Sequence, residues 1–158
     1  MLSQEEKTEI ESVFEGYKFK EAASIEALKI MQRRRGWISD DDVKDLAEFL
    51  GVAPDELDSV ATFYSLIFRR PVGRHIIFVC DSVSCWVMGF EKIADHIKTK
   101  LGIDWGGTTG DGKFTLLPAA CIGACEQAPA ILIDDKIYGN LDENKIDEIL
   151  SGYDQEVL

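Results

Sequence analysis

The sequence predicts an α+β protein in which a helical bundle is followed by a mixed domain of strands and helices. Apolar residues recur every three or four positions through about the first 70 residues, as they do on one face of a helix. Runs of β-branched and aromatic residues then replace that period, and the change falls at residues 69–73. We therefore expect two domains, a helical bundle at residues 1–72 and a second domain at residues 73–158.

Four short amphipathic helices are predicted in the bundle. The first opens at Ser3 with the spacing of a capping box, and the second ends at Gly36. The third lies between Ser39 and Gly51, and Pro54 suits the first turn of the fourth. The apolar positions expected to face a common core are Ile25, Ala27, Leu28, Ile30 and Met31 on the second helix, Val43, Leu46, Ala47 and Leu50 on the third, and Leu57, Val60, Ala61 and Tyr64 on the fourth.

Strand and helix patterns alternate after residue 73. Strands are predicted at residues 74–80, 114–117, 131–133 and 137–138. Helices are predicted at residues 87–101 and 142–150. Elements in this order within about 80 residues indicate a compact α/β sandwich of the thioredoxin-like type.

The composition excludes several classes of protein. With 17 Lys and Arg against 29 Asp and Glu, the 158-residue chain has a net charge of −12 and lacks the basic surface of most nucleic-acid-binding proteins. No apolar run reaches the roughly 20 residues of a membrane span, and the N-terminus does not resemble a signal peptide. We expect a cytoplasmic protein with reduced thiols. The only dense basic run, residues 33–35, is interpreted as a solvated helix end.

Motifs for nucleotide binding and acid–base catalysis are incomplete. The glycine-rich segment 107–113 matches most of a P-loop, but Phe114 replaces the magnesium-binding hydroxyl, and a strand is predicted where a helix should follow. No G-x-G-x-x-G follows a predicted strand. The histidines His75 and His96 have no cysteine partner at the spacing of a mixed metal site. We therefore expect no catalytic residue and no nucleotide site in this chain.

All four cysteines occur in two closely spaced pairs. Cys80 and Cys85 form a C-x4-C pair, and Cys121 and Cys125 form a C-x3-C pair. Each pair follows a predicted strand, where loops leave one end of a sheet and can converge. Unrelated buried cysteines would not gather in this way.

Three kinds of cysteine chemistry compete for these pairs. Disulfides are not expected in a reducing compartment, and a thiol–disulfide oxidoreductase would need the C-x-x-C that this sequence lacks. Structural zinc commonly takes C-x2-C knuckles, although spacings up to C-x4-C occur. A 2Fe–2S cluster needs four thiolates, two for each iron, and fits the spacing best. A zinc-stabilised assembly adaptor remains the alternative from another class of protein.

A cluster with four thiolates carries a charge of −2, or −3 after it accepts an electron, so it needs hydrogen-bond donors nearby. Ser82 and Ser84, in the loop of the first pair, can donate hydroxyl groups. Trp86, Val87 and Ile122 are expected to keep water away from the site.

Several short motifs follow one another in a specific order. They are ALKIMQ at 27–32 ahead of GWI at 36–38, VATFYS at 60–65, PVGR at 71–74, CWVMG at 85–89, and CIGAC at 121–125 with Ala128 and Pro129. In this order the chain resembles the small 2Fe–2S subunits of bacterial NADH:quinone oxidoreductase, respiratory complex I. One departure is that Ala119 and Ala120 precede Cys121, where many relatives have an acidic residue.

The resemblance implies a fold, a site and a cofactor. The helical bundle would precede a thioredoxin-like 2Fe–2S ferredoxin domain. One 2Fe–2S cluster would be bound by Cys80, Cys85, Cys121 and Cys125. FMN and NADH would belong to a partner subunit and not to this chain.

The resemblance also implies a function within a larger enzyme. The chain would be an electron-transfer subunit that exchanges single electrons with the FMN of the NADH-binding subunit, without a complete active site of its own. The helical bundle would dock on that partner. The complex would be peripheral on the cytoplasmic side of the inner membrane, and this chain would not insert into the membrane. The equivalent diaphorase subunit of a NAD-linked hydrogenase or formate dehydrogenase is the close alternative.

Overall fold

The computed structural model describes residues 1–154. Contacts within the chain divide it into two compact units, one covering Met1–Val72 and one beginning at Gly73. We call them the helical unit and the cysteine unit and describe each separately. No helix among the described residues is both long enough and apolar enough to cross a membrane.

The helical unit contains the four helices that the apolar periodicity predicts. They are α1 (Gln4–Phe14), α2 (Ser24–Arg35), α3 (Asp40–Leu50) and α4 (Pro54–Phe63), with a 3₁₀ turn at Lys20–Ala23 ahead of α2. Capping boxes at Ser3 and Ser39 open α1 and α3, where each hydroxyl accepts a hydrogen bond from the backbone N–H three residues on. The largest fully buried side chains of this unit are Ile10, Leu28, Met31, Ile38, Leu46 and Leu57.

An ion cluster ties the ends of three of these helices together. Arg35, the last residue of α2, donates to both carboxylate oxygens of Glu6 at 2.7 Å and is also paired with Asp42. Glu6 and Asp42 are the acidic residues of the two capping boxes and are buried. Hydrogen bonding from Arg35 lowers the pKa of Glu6 to about 2. The interpretation of residues 33–35 as a solvated helix end was therefore wrong for Arg35, whose side chain is only 26% exposed and pairs with two buried carboxylates.

The cysteine unit is built on a four-stranded mixed sheet in the order β2-β1-β3-β4. The strands are β1 (His75–Cys80), β2 (Phe114–Ala119), β3 (Ile131–Ile133) and β4 (Lys136–Tyr138). β1 pairs with β2 in parallel and with β3 in antiparallel, and β3 pairs with β4 in antiparallel. The sheet confirms the α+β class that the sequence predicts.

Three helices complete the cysteine unit: α5 (Val83–Val87), α6 (Phe90–Leu101) and α7 (Glu143–Asp154). Residues of α6 and α7 share one buried cluster with the strands, including Ile97, Ile77, Leu116 and Ile146. The prediction of a single helix at 87–101 was wrong. Gly89 has a φ of +104°, which an α-helix does not contain, so the chain breaks there and forms two helices.

Candidate metal centre

Parallel pairing of β1 and β2 brings the two cysteine pairs together. Cys80 is the last residue of β1 and lies opposite Ala119, the last residue of β2. The register continues one step further, because the backbone N–H of Asp81 donates to the Ala119 carbonyl at 2.9 Å. The two loops therefore leave the same edge of the sheet side by side. The two loops thus converge, as we expect from the position of each cysteine pair directly after a predicted strand.

Both cysteine pairs lie at this edge of the sheet. The sulfurs of Cys121 and Cys125 are 3.8 Å apart, and the Cys80 sulfur lies 3.6 Å from the Ala120 carbonyl oxygen. Cys80 and Cys85 belong to one small buried cluster, and Cys80 and Cys125 both raise the pKa of Cys85. Among residues 1–154, no group of three or more His, Cys, Asp and Glu side chains is arranged as the ligands of one metal ion. The thiols instead meet pairwise, in the same two pairs that the sequence shows.

The two pairs differ in burial. Cys80 is 3% exposed and Cys85 is 2% exposed, and both belong to a small buried cluster with Ala124, Ala128 and Ala130. Cys121 and Cys125 are exposed. None of the four thiols is in a disulfide. The site thus has one buried side and one side that faces solvent.

Burial and hydrogen bonding set the acidity of the thiols. Burial, together with the hydrogen bond that it donates to Cys80, raises the pKa of Cys85 to about 11, although the Ala130 backbone N–H acts in the opposite direction. The backbone N–H of Gly123 donates to Cys121 and lowers the pKa of that thiol. Both amides are donors that favour a thiolate. Nothing in the sequence identifies the Ala130 amide, because it reaches Cys85 only through the pairing of the strands.

Serine hydroxyls connect the first loop to the second pair, as the sequence leads us to expect. The hydroxyl of Ser82 donates to Cys121 and helps to lower its pKa. The pKa of Cys125 is raised because its thiol donates to Cys121, and a hydrogen bond from Ser84 partly offsets that rise. Each serine lies beside the first cysteine pair in sequence but acts on a sulfur of the second pair.

Two of the three residues expected to exclude water do not cover the thiols. Trp86 and Val87 are exposed, and only Ile122 packs against the buried cysteines. The expectation for Trp86 and Val87 was wrong because α5 is a five-residue helix whose single buried position is Cys85. A helix of that length has one inward face, and Val83, Trp86 and Val87 lie on its exposed side.

Family membership follows from a comparison with known proteins. The model of the thioredoxin-like [2Fe-2S] ferredoxins matches residues 10–154. The chain belongs to this family. Membership in the thioredoxin-like ferredoxin family supports a 2Fe–2S cluster as the cofactor and agrees with the thiol-rich site at the sheet edge.

Curated relatives of this ferredoxin extend the likeness along nearly the whole chain. The E subunit of NADH-quinone oxidoreductase from Pseudomonas aeruginosa is 47% identical over 153 residues, which are 97% of this chain and 92% of the relative. The corresponding E subunit from Escherichia coli K12 is 45% identical over 152 residues, 96% of this chain and 92% of the relative. The homologues of the chain are therefore subunits of an oxidoreductase complex, as the short motifs indicate.

A solved structure is similar in fold over most of the chain. The NAD+-reducing [NiFe]-hydrogenase in its H2-reduced state matches with a TM-score of 0.71 and 25% identity over 83% of this chain. The match spans only 22% of the hydrogenase chain, so most of that polypeptide has no counterpart here.

Proposed function

We propose that Cys80, Cys85, Cys121 and Cys125 hold one 2Fe–2S cluster, and that the chain exchanges single electrons with the FMN of an NADH-binding subunit in NADH:quinone oxidoreductase. The observation that carries the proposal is the convergence of two cysteine pairs at one edge of a parallel strand pair. The names of the curated relatives support the parent complex.

The arrangement of the sulfurs fits the cofactor. Two thiolates bound to one tetrahedral metal at about 2.3 Å stand roughly 3.8 Å apart. The separation between Cys121 and Cys125 is 3.8 Å, so this pair fits a single iron. Cys80 and Cys85, which lie in one small buried cluster, would then supply the two ligands of the second iron. Four thiolates divided in this way match the ligand requirement of a 2Fe–2S cluster.

The bound cluster supplies a one-electron carrier whose net charge, counted with its four thiolates, changes from −2 to −3. The residues of this chain must stabilise that added charge without help from the protein as a whole, which has a net charge of −12. The Gly123 and Ala130 amides and the Ser82 hydroxyl point donors at the sulfurs. Hydrogen-bond donors at this short range can stabilise the added electron although the net negative charge of the protein opposes it.

The helical unit is proposed to dock on the FMN- and NADH-binding subunit. Phe63 and Leu66 are exposed, whereas Ile67, the residue after Leu66, is buried. The Gln32 side chain fixes this segment, because it donates to the Leu66 carbonyl at 2.8 Å and accepts from the Phe68 N–H at 2.6 Å. An apolar surface that is held rigidly loses little entropy when a partner binds it. The complex is proposed to be peripheral on the cytoplasmic side of the inner membrane.

The diaphorase subunit of a NAD-linked hydrogenase is the second candidate, because the hydrogenase structure matches over 83% of this chain. A formate dehydrogenase would require the same kind of subunit. Copurification separates these complexes. Isolation of the chain with a hydrogenase or formate dehydrogenase catalytic subunit, and without quinone reductase subunits, would contradict the complex I assignment.

Metal analysis and EPR spectroscopy test the cluster itself. Protein purified anaerobically should contain about two iron and two sulfide per chain and should give a single rhombic 2Fe–2S signal after reduction with dithionite. Stoichiometric zinc without iron would instead support the assembly adaptor and rule out the electron-transfer proposal.

A further inference from the structure

We infer that four exposed apolar residues on and next to α5 form a docking surface for the redox partner, and that the matching surface of this partner is apolar at its centre and basic at its rim. The residues are Val83, Trp86, Val87 and Met88, and we call them the α5 collar. The inference rests on the proposed function, because it assumes that the cysteine site exchanges electrons with another protein. It adds a second contact to the one proposed for the helical unit.

The α5 collar concentrates apolar surface in one place. Its residues are 72%, 61%, 70% and 59% exposed in sequence order. Among the described residues of the cysteine unit, the only other large exposed apolar side chain is Ile137 on β4. Contiguous apolar surface is uncommon on a monomer unless it serves binding, and Trp and Met are enriched at protein interfaces. The collar therefore has the composition of an interface rather than of ordinary surface.

The collar borders the open side of the metal centre. The segment that leads from Cys80 into α5 leaves the sheet edge beside the loop of Cys121 and Cys125, because the Asp81 N–H donates to the Ala119 carbonyl at 2.9 Å. Both of these cysteines are exposed, unlike Cys80 and Cys85. A protein that covers the collar is thus brought to the side of the site where the sulfurs reach the surface. Electron exchange between two proteins requires such close approach.

The backbone of the collar is fixed before any partner binds. The N–H of Trp86 donates to the Ser82 carbonyl at 2.8 Å, and the N–H of Met88 donates to the Ser84 carbonyl at 3.1 Å. Cys85, in the middle of α5, is buried. Because α5 is held on both sides of Cys85, binding of a partner does not have to order this helix. Most of the favourable free energy from burying the α5 collar therefore contributes to affinity.

The charges around the site indicate the kind of partner. Residues 80–90 contain one charged side chain, Asp81, and residues 119–130 contain one, Glu126. Both are acidic and exposed, and the bound cluster would add further negative charge. A second copy of this chain would place like charges opposite each other, which opposes dimerisation through the collar. A partner with an apolar centre and Lys or Arg at its rim is complementary.

Binding measurements with a matched pair of variants test the inference. The full-length, cluster-loaded chain is titrated with the purified FMN- and NADH-binding subunit by calorimetry. Val87→Asp should raise the Kd at least about tenfold, because a charge is buried in the contact. Ile137→Asp makes the same change at the other large exposed apolar side chain among the described residues of the cysteine unit, outside the α5 collar, and should leave the Kd within about twofold. Visible absorbance of each variant confirms that the cluster is retained.

The salt dependence of the same titration tests the charge argument. Replacing Asp81 and Glu126 by Asn and Gln should flatten the dependence of Kd on ionic strength, while Asp135→Asn, in the turn before β4, should not. Oxidative footprinting of the unmutated chain provides a check that needs no variant. Met88 should be protected from oxidation when the partner subunit is bound.

The outcomes separate this inference from the proposed function. If the unmutated chain binds the FMN- and NADH-binding subunit but Val87→Asp binds equally well and Met88 stays unprotected, the α5 collar is not the docking surface and the proposed function stands. If the cluster-loaded chain does not bind that subunit, both are overturned. Formation of homodimers that Val87→Asp abolishes would identify a second copy as the occupant and contradict the inference.

Discussion

The helical unit and the cysteine unit neutralise buried charge in different ways. In the helical unit, Arg35 lies between the buried carboxylates of Glu6 and Asp42, so one cationic side chain partly compensates the charge of two anionic ones. At the cysteine site, the buried thiols Cys80 and Cys85 have backbone amides and other thiols as partners, and residues 119–130 and 80–90 contain no basic side chain. Removing a partner from the first arrangement leaves buried charge unpaired and destabilises the fold, whereas the second arrangement is suited to a cofactor that contains metal cations.

The largest expected effect is the loss of the cofactor when one ligand is removed. Cys85→Ala should leave the protein without a stable cluster, because one iron then has a single thiolate from the chain. Iron content and the EPR signal of the dithionite-reduced protein measure the effect. Val83→Ala, two residues away on α5, should keep both near the values of the unmutated chain. A normal spectrum in Cys85→Ala would remove this residue from the ligand set.

The next effect is on the stability of the helical unit. Arg35→Met should lower the free energy of unfolding by about 3–5 kcal/mol, because two buried carboxylates lose their shared partner. Urea denaturation followed by circular dichroism measures the loss. Arg33→Met, at a solvent-exposed ion pair with Glu9, should cost less than about 1 kcal/mol. Equal costs for the two variants would show that the Arg35 cluster is no different from a surface ion pair.

Acid should weaken the helical unit through Glu6. Since its pKa is lowered from 4.5 to about 2 in the folded chain, the stabilisation is fully present above pH 4.5 and is lost as the pH falls towards 2. The whole contribution is at most about 3 kcal/mol. Denaturation of the unmutated chain and of Glu6→Gln should therefore show a difference in stability that shrinks over this pH range. A difference that is constant with pH would contradict the assignment.

A smaller effect is expected from the backbone at the start of α6. Gly89→Ala should cost about 1–2 kcal/mol, because φ is +104° there and an L side chain is strained even though space is available. Gly110→Ala also meets open space but has no positive φ, so it should be nearly neutral. Thermal denaturation of the two variants measures the difference. Equal melting temperatures would show that the break between α5 and α6 does not depend on glycine.

The sequence predicts the parts of the fold that depend on local patterns. The helices α1 to α4 follow from apolar periodicity, and the capping boxes at Ser3 and Ser39 are visible as residue spacing. The position of each cysteine pair directly after a predicted strand is also visible locally. The meeting of the two pairs additionally requires that β1 and β2 are parallel neighbours, which no local pattern specifies.

The features that the sequence does not predict depend on distant residues or on the shape of a short element. Arg35 lies 29 residues from Glu6, and the Ala130 amide lies 45 residues beyond Cys85, so no local pattern connects either pair. The exposure of Trp86 and Val87 follows from the length of α5, which ends before Gly89. The sequence predicts one helix from residue 87 to residue 101, and it does not show that a separate short helix precedes Gly89. The expectation that Trp86 and Val87 keep water from the thiols therefore failed.

The parallel register of β1 and β2 would make the proposed metal centre a reporter of correct strand pairing. A slip of one residue between these strands would move Ala119 about 3.3 Å relative to Cys80 along the strand direction. It would also turn each side chain of the slipped strand to the opposite face of the sheet. Metal–ligand distances tolerate errors of only about 0.2 Å. A chain that pairs its strands out of register therefore fails to bring both cysteine pairs to one point. Iron retention consequently distinguishes correctly paired chains from compact but misaligned ones.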